Sequence, residues 1–238
     1  MKLDILAFGA HPDDVEMSCG GTIAKEIAKG KTVGIIDITR GELGTRGTPE
    51  IRAKEAEEGG KILGIIAREQ LGFRDGFIVN NEEHQRKVIQ AIRKYQPDIV
   101  FANAIDDRHP DHGKAAQLLK DACFLSGLRH IETTSNGENQ KPWRPKNLYH
   151  YIQDRFITPH IVIDITATIE TKMKAIRAFR SQFYDPNSKE PETYLTNPEF
   201  LDTLKARAID FGKMVGVNYG EGFTSSKLIG ASSLFDLL

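Results

Sequence analysis

Two short segments of the 238-residue chain combine histidine and aspartate at a density suited to metal chemistry. The first is His11-Pro12-Asp13-Asp14, and the second is His109-Pro110-Asp111-His112. With the nearby acids Glu16 and Asp107, they offer three imidazoles and five carboxylates, which are donors that Zn²⁺ and similar divalent ions accept. Two histidines and one carboxylate would hold such an ion and leave another carboxylate to take a proton from water. The two segments therefore indicate a hydrolytic metal centre.

Each of these side chains also has a structural interpretation that involves no metal. A histidine after a strand commonly caps a helix or forms hydrogen bonds in the core, and acids are favoured in the first turn of a helix. Asp111 suits equally the N-cap of the next helix and a partner that orients an imidazole. The coincidence of two such segments favours a site, whereas four other histidines stand in unrelated contexts: His84, His130, His150 and His160.

The surrounding pattern predicts the elements that would position the two segments. Short apolar runs alternate with stretches of helical period, which is typical of the βαβ units of a parallel sheet. The first segment follows a predicted strand over 3–8, and the second follows a predicted strand over 98–103. Because ligands gather at the carboxyl ends of parallel strands, we expect both segments to meet at one edge of the sheet. The glycine-rich residues 39–47 predict a mobile loop over this site.

The rest of the pattern predicts a single α/β domain over residues 1–238. Further strands are expected over 33–38, 69–73, 149–152 and 160–165, and helices over about 23–28, 49–63, 88–95, 112–125, 169–179 and 199–214. Residues 132–147 are rich in turn-forming types and predict a long surface loop. The expected fold class is a Rossmann-like, mostly parallel sheet with helices on both faces.

Composition limits the classes of partner. Thirty-two basic and 33 acidic residues give a formal charge of −1, so no global field favours nucleic acid or an anionic membrane surface. No apolar run is long enough to predict a spanning helix, and Asp4 interrupts any N-terminal signal peptide. Cys19 and Cys123 are expected to be buried thiols. These features predict a cytoplasmic protein whose partner is a small molecule.

A resemblance to a known family rests on two motifs, Ala10-His11-Pro12-Asp13-Asp14-Val15-Glu16 and His109-Pro110-Asp111-His112. Together they resemble the LmbE and PIG-L type N-acetylglucosaminyl deacetylases. The likeness covers nearly the whole chain, through Gly20-Gly21-Thr22, Ile51-Arg52, Asp106-Asp107-Arg108, Ser181-Gln182-Phe183 and Tyr219-Gly220-Glu221-Gly222-Phe223. Within the family, the chain looks most similar to the deacetylases of bacillithiol biosynthesis, which remove acetate from N-acetylglucosaminyl malate.

The resemblance implies distinct roles for the residues of the two motifs. It implies that His11, Asp14 and His112 bind Zn²⁺. It implies that Asp13 is the general base that activates water and that His109 stabilises the oxyanion. Without the resemblance, the roles of Asp13 and Asp14 are interchangeable.

The resemblance also implies residues that bind the substrate. Arg52 is one, and looser local matches add Asp75 and Tyr194. From its residue type, Arg52 could pair with a substrate carboxylate or form a surface ion pair. The resemblance further implies a homo-oligomer, such as a hexamer.

Other functions fit parts of the same pattern. A metal-dependent deacetylase of another N-acetylated sugar or amide would need the same residues, and Fe²⁺ suits two histidines and a carboxylate as well as Zn²⁺ does. A nucleotide-binding oxidoreductase would share the βαβ start, but residues 9–21 lack the G-x-G-x-x-G spacing. A noncatalytic zinc-binding or sugar-binding protein is the third alternative.

Overall fold

The computed structural model describes residues 1–233 and residue 235. Its strands are β1 (Ile5–Gly9), β2 (Val33–Thr39), β3 (Ala67–Phe73), β4 (Ile99–Ala102), β5 (Thr134–Ser135), β6 (Glu138–Asn139), β7 (Asn147–Tyr151), β8 (Ile161–Asp164) and β9 (Gly220–Thr224). Its helices are α1 (Asp14–Ala28), α2 (Pro49–Leu63), α3 (Glu82–Tyr95), α4 (Pro110–Leu125), α5 (Ile169–Arg177) and α6 (Phe200–Met214), with a short 3-10 helix over Tyr194–Thr196. Within the described residues, none of these helices has the length and apolar character needed to cross a membrane.

Seven strands form one sheet in the order β3-β2-β1-β4-β7-β9-β8. The first five run parallel, whereas β9 pairs antiparallel with both β7 and β8. In the centre of the parallel part, Ala7 of β1 pairs with Ile35 of β2 on one side and with Phe101 of β4 on the other. The predicted α/β fold with a mostly parallel sheet is confirmed.

Apolar side chains pack on both faces of the sheet, because successive strand residues point to opposite sides. In β1, Leu6 and Phe8 join a core that is closed by α3 and α4. Ile5 and Ala7 join a second core with residues of α1, α2 and α5. A third cluster lies between α5 and α6. Helices therefore cover both faces as predicted, and the two cysteines are buried free thiols.

The strand β9 is absent from the predicted elements. Its sequence, Gly-Glu-Gly-Phe-Thr, has no polar and apolar alternation, since all five residues are buried between β7 and β8. Close packing explains its glycines: a Cβ on Gly220 would lie 2.5 Å from Cγ1 of Val162 and 2.9 Å from the backbone nitrogen of Gly212. A strand of this kind is specified by its neighbours and has no local signature.

The predicted surface loop over 132–147 contains a hairpin, so that prediction is wrong in part. The strands β5 and β6 pair antiparallel, with Thr134 opposite Asn139. Asn136 and Gly137 join them with φ angles of 51° and 81°. An Asn-Gly pair with positive φ at both residues is the preferred two-residue connection of a hairpin.

Candidate metal centre

The two histidine-rich segments meet at the carboxyl edge of the sheet. The strands β1 and β4, which precede them, are parallel neighbours, so the loops that follow Gly9 and Ala102 leave the sheet side by side. The ring centroid of His11 lies 4.5 Å from that of His109 and 5.5 Å from that of His112. The fold therefore brings together the three imidazoles as the sequence predicts.

Asp14, the first residue of α1, lies between two of these imidazoles. Its Oδ2 is 3.6 Å from Nδ1 of His11, and its Oδ1 is 3.2 Å from Nε2 of His112. The side-chain amides of Asn103 and Gln153 each donate a hydrogen bond of 3.0 Å to the same carboxylate. Burial alone would raise the pKa of Asp14, but its interactions with the two histidines hold that pKa well below the ordinary value.

Both histidines that face Asp14 have a second carboxylate on the opposite side of the ring. Nε2 of His11 lies 3.0 Å from Oδ1 of Asp75, and Nδ1 of His112 lies 2.5 Å from Oδ2 of Asp107. An ionised carboxylate only accepts hydrogen bonds, so these nitrogens are donors and the nitrogens that face Asp14 are available as ligands. Histidines that bind metals commonly have a carboxylate partner of this kind.

The charge around His112 also suits a cation. Burial lowers the pKa of His112, but the charge of Asp14 and the hydrogen bond with Asp107 raise it to about 9. The carboxylates therefore favour a positive charge at this place. A divalent cation would displace the proton and satisfy the same carboxylates.

The distances between the donor atoms also suit a bound zinc ion. Ligand atoms about 2.0–2.1 Å from a tetrahedral zinc ion lie roughly 3.3 Å from one another, which is close to the separations between Asp14 and its two imidazoles. Two groups of donor atoms lie within 4.8 Å of one another and share one histidine: His11 with His109 and His112, and His11 with Asp75 and Asp111; Asp14 is in neither group. Nitrogen and carboxylate donors in this mixture suit zinc and iron(II).

Asp13 contacts different groups from its neighbour Asp14. It is the N-cap of α1 and has a φ angle of 112°, in a region that non-glycine residues rarely adopt. Its Oδ2 accepts a hydrogen bond of 3.2 Å from Arg52. Burial raises the pKa of Asp13 to about 7, although the charge of Arg52 acts in the opposite direction. A carboxylate with this pKa is suited to accept a proton near neutral pH.

Arg52 is a buried residue of α2, so the alternative of a surface ion pair is wrong. In addition to Asp13, its guanidinium donates to the carbonyl oxygens of Pro12 at 2.7 Å and Gly41 at 3.2 Å. A Cβ on Gly41 would overlap the guanidinium of Arg52, and the positive φ of 65° at this position also favours glycine. Arg52 thus joins the loop after β1 to the loop after β2.

His109 is the N-cap of α4, which begins at Pro110. Its Nδ1 accepts a hydrogen bond of 3.3 Å from the backbone nitrogen of Asp111. Burial and the neighbouring imidazoles of His11 and His112 lower the pKa of His109. The neutral ring consequently carries its hydrogen on Nε2, where it can be donated to a ligand.

Asp111 lies within the first turn of α4, so it is not the N-cap. Its Oδ2 accepts a hydrogen bond of 2.7 Å from the backbone nitrogen of Gly76 and lies 3.6 Å from Nε2 of His11. Of the two interpretations of Asp111, the structure favours the partner of an imidazole.

A cavity of about 230 Å³ opens over these groups. Its lining includes His11, Asp13, Asp14, Met17, Leu43, Gly44, Arg52, Asp75, Gly76, Arg108, His109, His112, Gln182 and Leu195. Leu43 and Gly44 show that the loop 39–47 lies over the site, and its mobility stays a prediction. Asp75 also contacts this loop, because its Oδ2 accepts a hydrogen bond of 2.9 Å from the backbone nitrogen of Leu43.

Tyr194, also expected to bind substrate, does not line this cavity. It lies beside an adjoining chamber, where its hydroxyl donates a hydrogen bond of 2.8 Å to Asp154. The guanidinium of Arg108 lies 4.2 Å from the centre of its ring. Tyr194 therefore belongs to a polar cluster at the rim of the site.

Sequence reasoning missed two residues and placed one too near the metal centre. Asn103 directly follows β4, and this position at the carboxyl end of a strand could have identified it. Gln153 carries no comparable signal. Glu16 was counted among the nearby carboxylates, but it pairs at 2.5 Å with Arg68, which also binds Asp37.

Comparisons with known proteins identify the family to which the chain is related. Residues 6–123 match the family model PIG-L, described as GlcNAc-PI de-N-acetylase. The conserved protein TT1542 from Thermus thermophilus is 37% identical, with 98% of each chain covered and a TM-score of 0.87. The N,N'-diacetylchitobiose deacetylase from Pyrococcus horikoshii is 31% identical over 92% of this chain and 82% of that one, with a TM-score of 0.77. A probable N-acetyl-alpha-D-glucosaminyl L-malate deacetylase 2 from Bacillus anthracis is 25% identical over 75% of this chain and 81% of the relative.

Proposed function

Because the chain belongs to the PIG-L/LmbE family of deacetylases, we propose that it hydrolyses the acetamide of an N-acetylglucosaminyl conjugate with a divalent cation, Zn²⁺ or Fe²⁺. The proposed ligands are His11, Asp14 and His112. Asp13 is the proposed general base, and His109 is the proposed donor to the oxyanion.

One observation carries the choice of ligands. His11 and His112 each bind a buried carboxylate through one ring nitrogen and turn the other nitrogen towards Asp14. This arrangement supports a cation held among these three residues, since it fixes the tautomer of both rings. His109 has no such carboxylate on its Nδ1, which is occupied by a backbone donor.

The residues around the proposed cation transfer the proton and stabilise the developing negative charge. A bound divalent cation would polarise the acetamide carbonyl and make water more acidic. Asp13 takes a proton from the attacking water and passes it to the departing nitrogen, while Arg52 holds its carboxylate in place. Nε2 of His109 donates to the carbonyl oxygen as negative charge develops, and one such donor is worth about 3 kcal/mol.

N-Acetylglucosaminyl malate is the substrate that we propose, and another N-acetylated sugar is the alternative. The relatives support both, because one is named for diacetylchitobiose and one for glucosaminyl malate. Arg52 and Asp75 line the cavity and are proposed to meet the sugar. Tyr194 is proposed to contact the substrate from the adjoining chamber.

Acetate release from metal-loaded protein tests this proposal. We expect faster turnover of N-acetylglucosaminyl malate than of diacetylchitobiose or free N-acetylglucosamine. A rate with the malate conjugate that is no higher than with free N-acetylglucosamine would remove the malate assignment. Absence of acetate release from all three substrates would contradict the deacetylase proposal.

Metal analysis of variants tests the ligand assignment separately. We expect His11→Ala and His112→Ala to lose the cation and the activity, because each removes one of three ligands. His130→Ala is the control, since His130 is exposed and outside the site. Full metal content in both ligand variants would contradict the assignment.

A further inference from the structure

The helix α6 carries a charged residue within its apolar face. Phe200, Leu204 and Phe211 are buried and follow one another at helical spacing. Arg207 falls in the same series, three residues after Leu204 and four before Phe211. Burial lowers the pKa of its guanidinium. A leucine at this position would continue the apolar face, so packing does not explain the arginine.

Arg207 is half-buried, and its guanidinium lacks a direct partner among the described residues. Across residues 1–233 and 235, no hydrogen bond or ion pair is formed by its guanidinium, although Asp154 and Asp107 act on it electrostatically. Both oxygens of Asp154 are engaged, one by the hydroxyl of Tyr194 at 2.8 Å and the other by Nε of Arg108 at 3.4 Å. Asp107 already binds an imidazole of the metal centre. The five N–H donors of Arg207 are therefore available to a ligand.

Arg207 lines a side chamber of about 50 Å³ that adjoins the main cavity. The two spaces share Asp14 and His112, two of the proposed metal ligands. About 10–15 Å³ of such space holds one water molecule, so the chamber has room for a group of a few heavy atoms. Leu204 and Phe200 add apolar surface to its lining.

We propose that the side chamber receives the acetyl group of the substrate and that Arg207 binds the carboxylate of the acetate formed from it. The inference rests on the proposed deacetylase function. In the reaction, the oxygen of water bonds to the carbonyl carbon, the C–N bond breaks, and the nitrogen takes one proton from the water. The second proton leaves the new carboxyl group for the amine, which becomes an ammonium group. The neutral acetyl group becomes an anion, so the attraction of Arg207 acts on the product far more than on the substrate.

A substrate that itself carries a carboxylate, such as a malate conjugate, could bind Arg207 in the same way as acetate. The experiment must therefore distinguish these two carboxylates. The position of the chamber beside Asp14 and His112 favours acetate, because the acetyl group reacts next to these proposed metal ligands. Arg207→Gln removes the charge, and Arg207→Leu completes the apolar face and is expected to fold with raised thermal stability. Lys213→Gln removes an exposed charge from the same helix and is the matched control.

The experiment measures inhibition by acetate in metal-loaded enzyme, with a neutral substrate (diacetylchitobiose) and an anionic substrate (N-acetylglucosaminyl malate). In both Arg207 variants, we expect the inhibition constant of acetate to rise about 10-fold or more, as for loss of a charge-assisted hydrogen bond. The rise should be the same with either substrate and absent in Lys213→Gln. Unchanged inhibition by acetate would overturn the proposal. A second result would also overturn the proposal: inhibition by acetate stays unchanged, and KM rises only for the malate conjugate. Arg207 would then bind the carboxylate of that substrate.

Calorimetric titration of acetate into the same metal-loaded proteins needs no turnover and separates the two proposals. If acetate binding depends on Arg207 but the protein deacetylates none of the substrates, the proposed function is contradicted and the proposed carboxylate site is supported. Equal acetate affinity in the unsubstituted protein and the variants, in an active enzyme, would contradict the carboxylate site alone.

Discussion

Asp13 has both an unusual φ angle and a raised pKa. Its φ angle of 112° is rarely adopted by residues other than glycine, and asparagine is among the few types that tolerate positive φ as aspartate does. Asp13→Asn should therefore keep the turn and the hydrogen bond from Arg52, while it removes the proton acceptor. We expect metal content to stay full and kcat to fall by roughly 10² or more. Metal analysis and acetate release, measured on one preparation, check this result, and a near-normal kcat would exclude Asp13 as the base.

Asp107 acts on the proposed metal through His112. Its Oδ2 binds Nδ1 of the imidazole, and its Oδ1 accepts from the backbone nitrogens of Asp154 and Arg155 at 2.9 and 2.8 Å. We expect Asp107→Asn to weaken zinc affinity by about 10- to 100-fold, as is usual when the carboxylate partner of a histidine ligand is lost. Competition with a chelator measures the affinity. Asp106→Asn is the control, because Asp106 is exposed and pairs with Arg155 at the surface. Equal affinity in both variants would contradict the role of Asp107.

At the scale of single residues, the sequence could predict the side chains that suit a metal site, but it could not predict the side chains that position them. The histidines and aspartates of two motifs are recognisable because few structural roles require such a mixture. Asn103 and Gln153 bind Asp14 through amides, which are common in loops, and Gln153 comes from a different part of the chain. Arg207 lies in a helix that the sequence predicts over 199–214, but the absence of a direct partner for it among the described residues is a property of the folded molecule.

The elements of the fold differ in how far their own residues predict their structure. β1 and β4 are apolar runs bounded by polar turns, so their positions follow from the sequence pattern. β9 is as deeply buried, but two of its five residues are glycines that serve close contacts with α6 and other neighbours. The hairpin of β5 and β6 had a recognisable Asn-Gly turn within a segment that was otherwise too polar to suggest strands.

The adjacent glycines of α1 offer a test of packing at this scale. A Cβ on Gly21 would lie 2.8 Å from Cδ1 and 2.9 Å from Cβ of Ile165, whereas a Cβ on Gly20 would meet Leu63 and Lys172 at an ordinary 3.6 Å. We expect Gly21→Ala to lower the free energy of unfolding by about 1–3 kcal/mol through overpacking. Gly20→Ala should leave it unchanged or raise it by up to about 1 kcal/mol, because alanine favours helix. Denaturant unfolding of both variants measures the difference, and equal stability would contradict this account of the contact.

At the scale of the whole molecule, the buried carboxylate of Glu221 links segments of the described chain that are far apart in sequence. Glu221 of β9 accepts hydrogen bonds from the backbone nitrogens of Gly21 at 3.0 Å and Thr22 at 2.7 Å, in the interior of α1. Lys172 of α5 completes the group, with its Nζ 2.6 Å from Oε1 of Glu221. No local pattern could have predicted a contact between residues about 200 positions apart, and the predicted elements did not include β9.

This group should make stability depend on Lys172 and Glu221 jointly. Lys172→Met leaves a buried carboxylate without its cation, and Glu221→Gln leaves a buried ammonium without its anion. We expect each substitution to lower the free energy of unfolding by about 3–5 kcal/mol, since a buried charge that loses its partner is costly. The double variant has neither charge, so its loss should be smaller than the sum of the two by about 1 kcal/mol or more. Denaturant unfolding of the four proteins gives this coupling, and strictly additive losses would show that the two charges do not stabilise each other across the fold.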